Sequence, residues 1–228
     1  MTMSIPTVAP TAVPIEGSDE SFPIRRIYCV GRNYAAHARE FGHDPDREPP
    51  FFFMKPADTY VPSGSTVPYP RATRDLHHEI ELVVAIGKGG TDIAEEDALS
   101  HVFGYAVGLD MTRRDLQGEA KRMGRPWEMG KGFDQSAPMS PLRRASEIGH
   151  PDRGAIRLSV NGTERQSSDL SLQIWNVPAT ISYLSRFMEL KPGDLIMTGT
   201  PENVAAVASG DRLEGAIEGV GEISLTYA

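Results

Sequence analysis

Glu79 and Glu81 stand two residues apart in a stretch, 78–86, where Ile80, Leu82, Val84 and Ile86 alternate with Glu79, Glu81, Val83 and Ala85. On a strand, residues two apart share a face and lie roughly 6–7 Å apart, so two long carboxylate side chains can converge on one point. On a helix they would diverge. Like charges on one face repel unless a cation or a raised pKa relieves them. A hard divalent ion is the economical relief, and all-oxygen ligation points to Mg²⁺, Mn²⁺ or Ca²⁺ rather than zinc. Read alone, a strand of this kind more often has a face that is simply wet. Asp110, closing a second apolar strand over 102–110, is the natural third ligand, although an acid there also suits a helix entry.

The segment 31–40 (GRNYAAHARE) is a second constellation. With Asn33 as helix cap, His37 and Glu40 fall at i and i+3 on one face, where the carboxylate can orient the imidazole as a general base toward water. An exposed pair on a surface helix has the same spacing. Lys131 and Lys55 each sit among aromatic and apolar residues, so they either snorkel to water or are held to bind an anion. Arg114 and Gln117, three apart after Asp110, can look back over the acids or be solvated. Thr198-Gly199-Thr200-Pro201 ends a strand and can offer hydroxyls and an N–H to a carboxylate, or be an ordinary turn. His77 and His78 point to opposite faces, so at most one serves the site. No dinucleotide fingerprint, H-E-x-x-H or G-x-S-x-G occurs.

The elements that must carry these groups are mostly short strands. Residues 1–22, with Pro6, Pro10 and Pro14 and no period, read as an extended arm, and 23–228 as one domain. Asn161-Gly162 marks a hairpin, and Lys191-Pro192-Gly193-Asp194 a turn into a strand over 195–198. Thr112 and Asp115 suggest a capping box opening a helix over 113–123 that Gly124 and Pro126 stop. A second helix is expected over 178–188, with Ile181, Leu184, Phe187 and Met188 sharing its buried face. Without regular strand–helix alternation, the fold class is mixed α/β and mostly β.

Composition bounds the rest. The 228 residues carry 31 acidic against 23 basic side chains, a net charge of −8 that argues against nucleic acid or anionic membrane as partner. The longest apolar runs are far too short to span a bilayer, and the first positive residue is Arg25, unlike the basic start of a secretory signal, so a soluble cytoplasmic protein is expected. The lone Cys29 excludes a disulfide framework and suits a buried structural thiol.

Taken in order, CVGRNYAAHARE at 29–40, residues 53–56, HHEIEL at 77–82, GLDMT at 108–112, Gly130-Lys131, VNG at 160–162 and the run from Gly193-Asp194 to TGTP at 198–201 resemble the fumarylacetoacetate hydrolase family. The resemblance runs from residue 24 to the C-terminus. It implies a pseudo-symmetric β-roll or β-sandwich with short helices, a homodimer, and one Mg²⁺ or Mn²⁺ per subunit held by Glu79, Glu81 and Asp110. It implies His37 and Glu40 as a water-activating dyad on a lid over 35–48, and Lys131 as the active-site lysine. Arg114, Gln117 and Thr200 would hold the pyruvoyl end of the substrate. The implied reaction is hydrolysis of a carbon–carbon bond in a 1,3-diketone acid, within the family most like the cleavage of fumarylpyruvate to fumarate and pyruvate in gentisate breakdown. Acylpyruvate hydrolysis, oxaloacetate decarboxylation and isomerisation of an unsaturated 2-hydroxy-diacid use the same metal–enolate end. A non-catalytic divalent-cation-binding β module is the alternative of another class. The substrate's distal carboxylate calls for a cation, for which Arg39, Lys121, Arg125 and Arg113 are candidates.

Overall fold

A computed structural model describes residues 10–34 and 49–228. Its centre is the strand Ile80–Ile86, whose apolar alternation sends Ile80, Leu82, Val84 and Ile86 to one side and Val83 and Ala85 to the other. Both sides are buried. The first set packs with Val107 and Leu109 against Ile156, Leu158, Leu213, Ile223 and Leu225 of a second sheet. The second set packs with Ile27, Cys29, Met139 and Met197 in a separate core. A strand flanked on both faces reads as a continuous apolar run, and that is why a charged residue within it is conspicuous.

The central sheet runs in the order Phe51–Lys55, Arg26–Gly31, Asp194–Met197, Ile80–Ile86, Val102–Leu109, Ala137–Met139, Tyr60–Pro62, with Arg143–Arg144 also paired to Val102–Leu109. It is mixed: Asp194–Met197 lies parallel to Arg26–Gly31 and antiparallel to Ile80–Ile86. The second sheet, of five strands, orders Thr163–Asp169, Ala155–Val160, Arg212–Ile217, Gly221–Tyr227 and Ser65–Val67. The expected turn at Asn161-Gly162 is its first hairpin, with both residues at positive φ (52° and 76°) as a two-residue turn requires. The architecture is a single mostly-β domain, as expected from the sequence. No helix of the described residues is long and apolar enough to cross a membrane.

Three local expectations are corrected. In its described part the N-terminal arm is a hairpin, Ala12–Pro14 against Ser21–Pro23, which buries Val13, Ile15 and Phe22 in the second core. A hairpin of three-residue strands is too short to establish a visible period. The helix over Val177–Ser185 ends before Phe187 and Met188, so Ile181 and Leu184 are buried while Phe187 is 66% exposed. The helix Arg114–Met123 has no capping box: the Thr112 hydroxyl donates to the Asp110 carbonyl, and Asp115 is drawn to Thr73 and the Arg74 N–H. Its other end is as expected, with Gly124 in the left-handed region at φ 61°.

Burial on both faces of the central strand has a measurable consequence. Leu82→Ala should cost about 2–5 kcal/mol and Val83→Ala about 1–3 kcal/mol of unfolding free energy, read by denaturant titration. A sheet with one wet face would leave Val83→Ala near neutral, so a neutral result there would contradict the two-core arrangement.

Candidate metal centre

Antiparallel pairing brings the three acids together. Ile80 pairs with Leu109, so the start of one strand meets the end of the other, and the Asp110 N–H donates to the Glu79 carbonyl at 2.8 Å. Glu81, on the face shared with Val83 and Ala85, points to the same end. Ligand atoms of Glu79, Glu81 and Asp110 lie within 4.8 Å of one another, and all three residues are buried. The wet-face reading of the E-x-E strand is thereby excluded.

Cations surround these acids. Lys131, from the short helix Glu128–Lys131, places Nζ 2.7 Å from both Glu79 Oε2 and Asp110 Oδ2. Lys55 comes from the strand Phe51–Lys55 and places Nζ 2.9 Å from Asp110 Oδ1, while donating to the Met111 and Lys131 carbonyls. Arg114, the first residue of its helix, pairs with Glu79 Oε1 and donates to Gln117 Oε1 at 2.7 Å. Both lysines were read from sequence as either snorkelling or anion-binding; the anions they bind are the chain's own carboxylates.

Charge accounting then falls on Glu81. Its Oε2 accepts the Gly199 N–H at 2.7 Å. Gly199 can approach this closely because it sits at φ +94°, and a Cβ there would lie 2.7 Å from Asn33 Cβ. Burial nevertheless pushes Glu81 well above the usual carboxylate range, with Asp110 and Glu79 adding like-charge repulsion that Lys131 and the Gly199 N–H only partly offset. For Lys131 burial works the other way, but Asp110 and Glu79 outweigh it and hold its pKa above the usual lysine value. Lys131 is thus a fixed cation rather than a base.

The residues fit a divalent ion. Asp110 Oδ1 is buried and accepts no hydrogen bond from the described residues, the Lys55 ion pair lying outside hydrogen-bond geometry. A group of three buried carboxylates with one orphaned oxygen and one acid held toward its protonated form is what a hard cation with oxygen ligands would complete.

These groups open onto a cleft lined also by Arg32, Phe51, Phe53, Gln117, Lys121, Trp127 and Thr200. Thr200 Oγ1 accepts from Gln166 Nε2 at 2.9 Å, which leaves the hydroxyl hydrogen to point elsewhere. Gln166, from the strand Thr163–Asp169, also receives the Ile80 N–H on Oε1, 2.9 Å from His78 Nδ1. His77 pairs with Asp75, so neither histidine joins the acids. His37, Glu40, Arg39 and the lid over 35–48 lie outside the described residues. Asn33, read as a helix cap, is buried and bonds Trp175 and the Thr198 carbonyl, tying the end of the strand Arg26–Gly31 to the cleft's far side. Cys29 is a buried free thiol, as expected. Of the expected distal cations, Arg125 lies 3.9 Å from Glu119 at the surface and Arg113 stacks on Phe133, whereas Lys121 lines the cleft. Sequence reading assigns no role to Arg32, Gln166, Phe51, Phe53 or Trp127; Arg32 stands in the GRNY run and the three aromatics beside Lys55 and Lys131, whereas Gln166 carries no signal.

The family described as fumarylacetoacetate (FAA) hydrolase C-terminal matches residues 26–226. A fumarylpyruvate hydrolase from Ralstonia sp is 48% identical over 183 residues, covering 80% of this chain and 95% of that protein. The mitochondrial oxaloacetate tautomerase FAHD1 of Homo sapiens is 42% identical over 203 residues, 89% of this chain and 90% of its own. Fumarylpyruvate hydrolase from Pseudomonas aeruginosa, solved in complex with Mn²⁺ and pyruvate, superposes with a TM-score of 0.97 at 60% identity, covering 100% of this chain and 99% of the other.

The raised pKa of Glu81 sets a sign. Because the folded value lies above that of the unfolded chain, the metal-free fold carries an extra proton and loses stability as pH rises through the raised value. Bound Mn²⁺ or Mg²⁺ requires the ionised form, so metal binding should release a proton on the acid side of that value and remove the loss. Melting temperatures with and without metal across roughly pH 5 to 8 should diverge upward in pH. Calorimetry in buffers of different ionisation heat reads the proton directly, and Glu81→Gln should abolish its release.

Proposed function

The chain belongs to the fumarylacetoacetate hydrolase family, and from that premise we propose that it hydrolyses a carbon–carbon bond in a 1,3-diketone acid, most specifically fumarylpyruvate to fumarate and pyruvate. The observation that carries this reading is the buried acid triad beside a permanently charged Lys131 in one cleft. The ligands of Mg²⁺ or Mn²⁺ are Glu79, Glu81 and Asp110. A divalent ion held there would supply Lewis-acid polarisation of a 2-oxo group.

The protein's own groups supply the rest. Arg114 and Gln117, joined by their 2.7 Å bond, and the Thr200 hydroxyl, oriented by Gln166, hold the substrate's C1 carboxylate. Glu40 orients His37, which takes a proton from water as the water oxygen attacks the distal carbonyl carbon. The bond between that carbon and the neighbouring methylene then breaks, and its electron pair becomes the pyruvate enolate. The Lys131 ammonium faces this developing charge, fixed in place before reaction by its two carboxylates. The proton taken from water returns to the enolate carbon, giving pyruvate, and the acyl half leaves as fumarate. This is the chemistry of the last hydrolytic step of gentisate breakdown, carried out by a cytoplasmic homodimer.

Tautomerisation of oxaloacetate is a second reading, favoured by the 42% identity to a protein named for that activity. It uses the same enolate-stabilising end and needs no activated water.

Loss of diketone absorbance with fumarylpyruvate, maleylpyruvate, acetylpyruvate and fumarylacetoacetate, each with metal and with chelator, tests the proposal. Metal-dependent decay fastest on fumarylpyruvate is expected, and flat traces on all four would overturn it. Glu79→Gln should lower kcat/KM by roughly a hundredfold or more. His37→Ala should lower hydrolysis by about 10²–10⁴ with Mn²⁺ binding intact, while enol-to-keto conversion of oxaloacetate, if catalysed, should survive it.

A further inference from the structure

We propose that Arg32 and Lys121 form a clamp for a second carboxylate and so select acylpyruvates that end in an acid; this rests on the hydrolase reading and extends it to the substrate's distal end. The cleft has an aromatic wall. Phe51 and Phe53 project from one face of the strand Phe51–Lys55, and the Trp127 ring packs against both, at 5.2 Å and 5.8 Å between centroids. Each ring carries a cation: Lys131 Nζ lies 4.9 Å from the Phe53 centroid, Lys121 Nζ 4.8 Å from that of Trp127, and the Arg32 guanidinium carbon 5.2 Å from that of Phe51.

This row has a direction. Lys131 is anchored to Glu79 and Asp110, so the Phe53 end is the metal end. Phe51 is one strand repeat away, roughly 6–7 Å along the wall. In an extended 1,3-diketone diacid, five carbon–carbon bonds separate the 2-oxo carbon from the distal carboxylate carbon, which spans about 6 Å. A planar conjugated chain laid against the rings with its oxo acid at the metal end therefore delivers its second carboxylate to Arg32 and Lys121. Charge-assisted bonds from a guanidinium and an ammonium suit a carboxylate there.

The local backbone is built for this placement. Arg32 adopts φ 60°, a conformation uncommon for a residue with a side chain and one that persists only where its surroundings enforce it. The residue before it is Gly31, where a Cβ would lie 2.1 Å from Phe51 Cζ, so only glycine lets that ring lie across the strand end beside the guanidinium. Burial of its ammonium at the cleft, then the Arg114 and Arg32 guanidinium groups, pushes Lys121 down to about 8, although the residue as a whole is exposed.

The test compares wild type with Arg32→Gln, Lys121→Gln and the double variant on fumarylpyruvate and on acetylpyruvate, which lacks the second carboxylate. The expected result is a roughly ten- to hundredfold loss of kcat/KM for fumarylpyruvate, mainly in KM, with acetylpyruvate changed by less than about threefold. Lys121 is exposed, so its variant separates the effect from any folding defect at Arg32. Fumarate binding followed by ligand-observed NMR gives a readout independent of turnover and should weaken in the same variants. Hydrolysis with unchanged discrimination between the two substrates overturns the clamp and leaves the hydrolase reading standing. Fumarate binding that depends on Arg32 and Lys121, in a protein that cleaves no diketone, does the reverse. Fumarate affinity equal in wild type and double variant overturns the clamp in either case.

Discussion

Burying three carboxylates at one point is the constraint around which this protein is arranged. Unpaired, each would carry a desolvation cost large enough to unfold a domain of ordinary marginal stability. The chain answers with Lys55, Lys131 and Arg114, drawn from an edge strand, a four-residue helix and the first turn of a longer helix. Three formal charges oppose three, yet Glu81 lies farthest from this compensation and is pushed toward its neutral form. The centre is therefore balanced against the interior while leaving one Asp110 oxygen without a hydrogen bond and Glu81 without an ion pair among the described residues. A divalent ion would take this balanced site to a net positive charge, which suits an anionic ligand even in a chain whose own net charge is −8.

The division of labour within the cleft follows from the same arrangement. Groups at the acid end are locked by two or three contacts each, as a reacting centre requires for preorganisation. Lys131, for example, is held by two carboxylates and an aromatic face, and Lys55 buttresses its backbone carbonyl from below. Thr200 is held by Gln166, which spans from the second sheet to the central one. At the other end of the cleft, Arg32 and Lys121 rest on aromatic rings.

Much of this was legible in residue spacing, and what was not has identifiable causes. Glu79 and Glu81 were legible as a pair because residues two apart on a strand share a face, and Asp110 because it closes an apolar run; that their face is buried was not legible, since the same alternation suits a wet one. The hairpin at Asn161-Gly162 and the stop at Gly124 are local, so their signals are local. Lys55 could be seen to be unusual but its partners could not, since Asp110 and Lys131 reach it only through sheet pairing and a helix packed across the strand. Gln166 left no signal at all: it sits in a polar strand and becomes a site residue only when two sheets close together. The capping box failed because Asp115 was claimed by the 73–74 segment, a competitor distant in sequence. Phe187 and Met188 kept the helical period but fell beyond the point where the helix ends.

Among the described residues, the strand that carries Phe51 and Phe53 is the last of the central sheet and pairs with the strand Arg26–Gly31 alone, whereas the strand of Glu81 has a neighbour on each side. Substitutions along the aromatic wall disturb one ladder and a half-open surface; substitutions at the acids disturb two ladders and two cores. The molecule thus separates the part of its site that can drift from the part that cannot. Change in the site is therefore cheapest at the sheet's margin, while the acids at its centre are held in place from every side.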